Sequence, residues 1–159
     1  MNFLMYADGL CPNNGRYGKA NSQGSFAVYS LNHRGYSEDI HEDLRTEHPL
    51  CHEEKFQIVA TNPTNNIAEA KSLSTGIMWC LKTGILSKGN VLHICMDSRL
   101  VLEQFSGVSQ TKNRYLLDVY KSLYQVLDHY RKDTGYDPEK SIALHWIPGT
   151  IMKESIIAH

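Results

Sequence analysis

Two short apolar segments that each end in an aspartate place the strongest constraint on the fold of this chain. Residues 2–7 (NFLMYA) run into Asp8, and residues 90–96 (NVLHICM) run into Asp97. Apolar runs of this length, followed by turn residues, are typical of buried strands. A carboxylate beside buried apolar residues is costly unless it is paired or bound to a cation. The sequence therefore predicts two buried strands whose ends carry either a cap or a functional acid.

The other periodic segments predict how these two strands are combined into a fold. Further strands are expected at residues 25–31, 55–60 and 140–147, and helices at residues 65–85, 98–107, 114–132 and after Pro148-Gly149. Three strands followed by alternating helices and strands indicate an α/β fold with a five-stranded mixed sheet and helices on both faces. The length of 159 residues suits a single domain, residues 1–159.

An acidic insertion at about residues 32–54 interrupts this pattern. It contains His33, His41, His48 and His52 among many acids. These histidines could in principle bind a metal ion, but their spacing matches no compact ligand pattern. We therefore expect a solvated loop, and a docking surface for a protein partner is a further hypothesis. The acidic charge argues against contact with a phosphate backbone.

Composition excludes several classes of protein. With 16 Lys and Arg against 17 Asp and Glu, the chain is unlike proteins held on nucleic acid by bulk positive charge, although bound metal ions can supply that charge. The four cysteines form no CxxC pair, which indicates a reduced, cytoplasmic protein. No basic segment opens the chain as in a signal peptide, and no apolar run can span a bilayer, so no membrane partner is expected.

A third acid, Glu69, is predicted in the first turn of the helix that begins near residue 65. Separately, Asp8 and Asp97 can be read as caps, and Glu69 as a carboxylate favoured by the helix dipole. In α/β sheets, however, functional groups gather at strand ends and helix starts. Three carboxylates together would be a set of hard oxygen ligands for Mg²⁺ or Mn²⁺. Two such ions can promote phosphodiester hydrolysis.

The segments around these acids resemble the three successive motifs of type 1 ribonuclease H. They are MYADGLCPNNGRYGKA (5–20), TNNIAEAKSL (64–73) and ICMDSRLVLEQFSG (94–107), and the later segments around Lys112-Asn113 and LHWIPG (144–149) are similar too. The resemblance covers nearly the whole chain except the insertion. It implies a ribonuclease H-like fold with the first three strands antiparallel. It also implies an endonuclease that hydrolyses the RNA strand of RNA/DNA hybrids with two Mg²⁺ or Mn²⁺ ions.

The resemblance further implies a role for individual residues. Asp8, Glu69 and Asp97 match the metal-binding carboxylates, with Asp8 expected to bridge the ions. Asn65 and Asn66 match an amide pair that contacts nucleic acid beside the scissile phosphate, although capping of the helix is the alternative reading. The remaining expected nucleic-acid contacts are the turn residues Gly9, Leu10, Cys11, Asn13 and Asn14, which match contacts to RNA 2′-hydroxyls, and Lys112, which matches a phosphate contact.

The chain departs from this family at the fourth acid of the site. No aspartate follows Asp137. Three readings stay open: His159 takes the fourth place, as a metal ligand or in proton transfer; Glu154 reaches it; or the place is vacant. The basic protrusion of some family members is also missing. The alternatives to a hybrid-cutting enzyme are a catalytically degenerate binding module and a nuclease of the same fold that acts on branched DNA.

Overall fold

The computed structural model describes residues 1–10, 22–31, 40–60, 64–137 and 139–154, without the side chains of residues 10, 153 and 154. Five strands and five helices are formed in these segments. In chain order they are β1 (Asn2–Leu10), β2 (Ser22–Ser30), α1 (Ile40–Leu44), β3 (Leu50–Ile58), α2 (Asn65–Lys82), β4 (Val91–Met96), α3 (Arg99–Ser106), α4 (Arg114–Thr134), β5 (Ile142–Trp146) and α5 (Gly149–Glu154). None of the helices in the described segments is long and apolar enough to cross a membrane.

The strands form one mixed sheet in the order β3-β2-β1-β4-β5. The pairs β1–β2 and β2–β3 are antiparallel, whereas β1–β4 and β4–β5 are parallel. In the parallel pair Tyr6 lies beside Cys95, so β1 and β4 end at the same edge of the sheet. This confirms the predicted five-stranded sheet with its first three strands antiparallel.

Helices cover both faces of the sheet, as the sequence predicts. On the first face, α2, α3 and α4 pack on side chains such as Met5, Phe26 and Ile94. On the second face lies a smaller cluster, here called the second-face core, to which α1 and α5 contribute one residue each. It consists of Leu4, Ala27, Tyr29, Leu31, Leu44, Cys95, Ile147 and Met152. Neighbouring residues of a strand point to opposite faces, so β1 and β4 supply both cores.

The long helices begin at polar caps. The Thr64 side chain accepts a hydrogen bond from the Ile67 backbone N–H and caps α2, and Asn113 caps α4 through the Leu116 N–H. At its other end α4 stops at Gly135, which adopts a left-handed conformation (φ 67°) that glycine tolerates. These signals account for the agreement between the predicted and observed bounds of both helices.

The insertion is more structured than the sequence indicates. The prediction of a loop over residues 32–54 is wrong for its described part, because α1 occupies residues 40–44 and β3 begins at Leu50 rather than at residue 55. β3 is an edge strand that is exposed along most of its length, so it shows no alternation of apolar and polar residues. Its pairing with β2, from Tyr29 beside Leu50 to Ser22 beside Ile58, establishes the strand instead.

Among the described residues of the insertion, His41, His48 and His52 do not gather into a metal site. The His52 ring stacks on Trp79, with ring centroids 4.4 Å apart, and His48 Nε2 lies 2.8 Å from the Asp43 carbonyl oxygen. His33 lies outside the described residues. The helix α1 instead packs Leu44 into the second-face core.

Beside the second-face core, two histidines from adjacent strands form a polar pair. His93 Nδ1 lies 3.0 Å from His145 Nε2, and His93 is only 4% exposed. Burial and the neighbouring His145 lower the pKa of His93 to about 4, from an ordinary value of 6.5, while Asp43 opposes this. Burial and His41 likewise lower the pKa of His145, again against Asp43. Both rings are therefore neutral in the folded protein near neutral pH.

This pair predicts a loss of stability in mild acid. Between pH 6.5 and about 4, His93 is protonated in the unfolded chain but stays neutral in the folded protein. The free energy of unfolding therefore decreases as the pH falls through this range. The variant His93→Gln should reduce that decrease, whereas His129→Gln, at an exposed site on α4, should not. Urea unfolding at pH 7 and pH 5 measures the difference. If the free energy of unfolding fell equally with pH in the native chain, His93→Gln and His129→Gln, the low pKa assigned to His93 would be contradicted.

Candidate active site

The three predicted acids meet at one edge of the sheet. Asp8, Glu69 and Asp97 each offer a carboxylate oxygen, and these oxygens lie within 4.8 Å of one another. Asp8 lies on β1 and Asp97 directly follows β4, so the parallel pairing of these strands brings them together. Glu69 is the fifth residue of α2, not a first-turn residue as predicted. Within the described segments, this is the only group of three or more acidic, histidine or cysteine side chains placed to hold a metal ion.

A close approach of backbones brings Glu69 to Asp8. A Cβ atom added to Gly9 would lie 2.3 Å from the Ala68 carbonyl carbon and 2.4 Å from the Glu69 nitrogen, so only glycine fits between β1 and α2. One turn further along α2, the buried Ser72 hydroxyl donates to the Asp8 carbonyl oxygen (2.7 Å) and accepts from the Ser25 N–H (3.1 Å). The Asp-Gly pair therefore has a packing function that its turn-like sequence does not reveal.

Asp97 is held through its backbone, and the residue that follows it caps the next helix. Reading it as a helix cap is wrong, because the Ser98 hydroxyl accepts from the Val101 N–H and caps α3. The Trp146 indole N–H donates to the Asp97 carbonyl oxygen (3.0 Å), and the Arg99 guanidinium lies over the indole ring. These contacts of Trp146 and Arg99 were missed by sequence reasoning, since they join elements about 50 residues apart.

The chemistry of the cluster fits a divalent cation. Burial raises the pKa of the Glu69 carboxyl to about 7, from an ordinary 4.5; Asp97 and Asp8 raise it further, and a hydrogen bond from Ser98 opposes the rise. Three oxygen donors that repel one another and are partly desolvated are stabilised by a cation, and hard oxygens suit Mg²⁺ or Mn²⁺. The residues that would hold it are Asp8, Glu69 and Asp97.

Tyr6 lies at the same cluster and was also missed by sequence reasoning. It lies two residues before Asp8 on β1, so the two side chains share one face of the strand. Burial, followed by the charge of Asp8 and smaller effects of Asp97 and Glu69, raises the pKa of this phenol well above its ordinary value of 10. The Asp8 carboxylate accepts from the Gly9 N–H (3.0 Å).

A polar groove opens between the starts of α2 and α4. It has a volume of about 460 Å³ and brings the predicted contacts Asn65 and Asn66 next to the segment that precedes α4. Because Thr64 caps α2, the capping alternative for the asparagine pair is not the one observed. Lys112 is exposed within that segment. The groove is also lined by residues that were not predicted as nucleic-acid contacts: Thr64, Leu100, Gln104, Thr111, Asn113 and Leu116.

Several predicted site residues cannot be placed. Cys11, Asn13, Asn14 and His159 lie outside the described residues, so their contacts to nucleic acid and the fourth site position stay predictions. The backbone of Leu10 ends β1, next to Gly9. Glu154 is the last residue of α5, and its side chain is not among those described.

Comparison with known proteins decides the fold. No protein-family model and no curated protein matches this sequence. Among solved structures, the N-terminal RNase H domain of Rv2228c from Mycobacterium tuberculosis, studied as a fusion with maltose-binding protein, superposes with a TM-score of 0.66 at 23% identity, covering 97% of this chain and 87% of that one. The chain has the ribonuclease H fold.

Two other solved structures give the same result. RNase H1 from the halophilic archaeon Halobacterium salinarum has a TM-score of 0.66 at 17% identity, covering 98% of this chain and 92% of that one. LC11-RNase H1, solved in complex with an RNA/DNA hybrid, has a TM-score of 0.62 at 18% identity, covering 96% and 90%. The ribonuclease H-like fold that the sequence resemblance implies is thus confirmed.

The contact between Gly9 and α2 predicts an unusually costly glycine substitution. Gly9→Ala should lower the free energy of unfolding by about 3 kcal/mol, since the new methyl group meets backbone atoms that cannot rotate away. The control is Gly89→Ala, where space is open and only the left-handed conformation (φ 84°) is penalised, by about 1–2 kcal/mol. Urea unfolding measures both. A smaller loss for Gly9→Ala than for Gly89→Ala would contradict the packing argument.

Proposed function

We propose that this protein is a ribonuclease H, a metal-dependent endonuclease that hydrolyses the RNA strand of RNA/DNA hybrids. The convergence of Asp8, Glu69 and Asp97 on the ribonuclease H fold is the observation that carries the proposal. The complex of LC11-RNase H1 with an RNA/DNA hybrid supports the choice of substrate class. Cleavage would leave a 3′-hydroxyl and a 5′-phosphate.

The chain's own side chains would hold and orient the reacting groups. A pair of Mg²⁺ or Mn²⁺ ions supplies an activated water and stabilisation of the leaving oxygen when bound. Asp8, Glu69 and Asp97 would hold these ions, and the negative charge of the three carboxylates would be neutralised in return. That neutralisation also removes the repulsion that a nucleic-acid phosphate would otherwise meet at this edge of the sheet.

The polar groove would hold part of the hybrid. Asn65 and Asn66 line it, and their amides can both donate and accept hydrogen bonds. Lys112 is exposed beside the groove and can contact a backbone phosphate. Recognition of RNA 2′-hydroxyls is assigned to Gly9 and Leu10, at the end of β1, and to Cys11, Asn13 and Asn14. With a net charge of −1, the chain has little bulk attraction for nucleic acid, so these local contacts carry the affinity.

Loss of a site carboxylate should abolish cleavage. Asp8→Asn removes one of the charged ligands, and a labelled RNA/DNA hybrid with Mg²⁺ or Mn²⁺ should then be cut only at background rate. Asp118→Asn, which makes the same change at an exposed position of α4, should leave the rate unaltered. If the native chain and Asp8→Asn both cut the hybrid only at the background rate, the proposed enzymatic activity is refuted. The alternative of a catalytically degenerate binding module would then be favoured. Faster cleavage of branched DNA than of the hybrid would favour the alternative of a nuclease of the same fold that acts on branched DNA.

For the fourth site position we propose His159. If its imidazole serves proton transfer or metal binding, His159→Ala should slow turnover by about 10²-fold, the lower end of the usual contribution of a general acid or base. His48→Ala is the matched control, because His48 contacts the Asp43 carbonyl oxygen, away from the carboxylates. An unchanged cleavage rate in His159→Ala would exclude this role for His159. If only Glu154→Gln lost activity, Glu154 would be assigned to the fourth position instead.

A further inference from the structure

The Trp146 indole joins the last strand of the sheet to the residue that carries the third acid. Trp146 ends β5 and pairs with Met96, the last residue of β4. Its indole N–H donates to the Asp97 carbonyl oxygen (3.0 Å), and the Ile147 backbone N–H donates to the Met96 carbonyl oxygen (2.9 Å). Two successive residues at the end of β5 therefore hold two successive carbonyl groups at the end of β4.

The indole is itself restrained, although Trp146 is 47% exposed. The Arg99 guanidinium lies 5.9 Å from the centre of the indole ring, a distance at which an aromatic face attracts a cation. The Arg99 Nε–H in turn donates to Glu103 Oε1 (2.9 Å), one turn further along α3. The ring is thus held by a hydrogen bond at its edge and by a cation on one face.

The turn that follows Trp146 lies against the Asp97 carboxylate. A Cβ atom added to Gly149, the first residue of α5, would lie 3.4 Å from Asp97 Oδ2. One short segment therefore contacts Asp97 at its backbone carbonyl group and beside its carboxylate. Because the carboxylate is joined to that backbone through a single Cβ atom, fixing the backbone limits the positions that the carboxylate oxygens can take.

We propose that Trp146 is a positioning residue for cation binding by the carboxylate cluster. It acts through the backbone of Asp97, and this role rests on the proposed function of the cluster. The indole hydrogen bond holds the end of β4 where the Asp97 carboxylate meets those of Asp8 and Glu69. Groups that orient metal ligands in this way affect metal affinity even though they do not touch the ion.

The first test is calorimetric titration with Mn²⁺. Trp146→Phe keeps an aromatic ring at the end of β5 but removes the N–H donor, so the Mn²⁺ dissociation constant should rise about tenfold. Trp79→Phe is the matched control, because Trp79 stacks on the His52 ring and lies about 15 Å beyond Glu69 along α2. Its Mn²⁺ affinity should equal that of the native chain. Circular dichroism and thermal unfolding establish that each variant folds.

The second test uses the native chain and does not depend on the folding of Trp146→Phe. The chain contains two tryptophans, so its proton–nitrogen NMR spectrum should show two indole N–H resonances, and the one missing from the spectrum of Trp79→Phe belongs to Trp79. The Trp146 N–H donates to the residue that bears a metal ligand. Its resonance should therefore shift as Mg²⁺ is added, whereas the Trp79 resonance should stay in place.

Hybrid cleavage at increasing Mn²⁺ adds a third readout. The rate of Trp146→Phe should approach the native rate at saturating Mn²⁺, because the defect lies in metal binding; a rate that stays low would indicate a distorted site and overturn the role. Native Mn²⁺ affinity in Trp146→Phe, an equal loss in Trp79→Phe, or a Trp146 resonance that does not shift at saturating Mg²⁺ would also overturn the role of Trp146 alone. Failure of the native chain to bind either ion would overturn both this role and the metal-dependent function.

Discussion

The contact of Gly9 with the backbone of α2 is the constraint on which the site depends. A strand and a helix approach there so closely that no side chain fits between them. The Ser72 hydroxyl then joins the helix to the Asp8 carbonyl oxygen and to the neighbouring strand β2. Since Asp8 and Glu69 lie on either side of this contact, their separation is determined by backbone packing rather than by flexible side chains.

The parallel pairing of β1 and β4 supplies the third acid. Both strands end at the same edge, and Asp97 follows β4 directly, with Ser98 taking over the cap of α3. The rise in the pKa of Glu69, caused by burial and by the two aspartates, is the electrostatic consequence of bringing three carboxylates to one place. Such an arrangement is unfavourable for stability without a cation, which is why it indicates function.

The two faces of the sheet contribute differently to this site. On the first face α2 brings Glu69 and the asparagine pair, and α4 borders the polar groove that the asparagine pair lines. On the second face, the core that includes Leu44 of α1 and Met152 of α5 supports the ring of Tyr6. The insertion is thereby linked to the architecture behind the site, because its helix α1 covers part of that face.

The sequence by itself determined the strand and helix order, the mixed sheet and the identity of the three acids, because apolar periodicity, polar caps and the family-like motifs are local signals. It failed for α1 and for the start of β3, since an exposed edge strand has no alternating pattern and depends on its partner strand. Only the tertiary structure decided that Ser98 rather than Asp97 caps α3, that Gly9 is a packing residue, and that Trp146 contacts Asp97. Those facts arise from contacts between elements far apart in the chain, which no local pattern encodes.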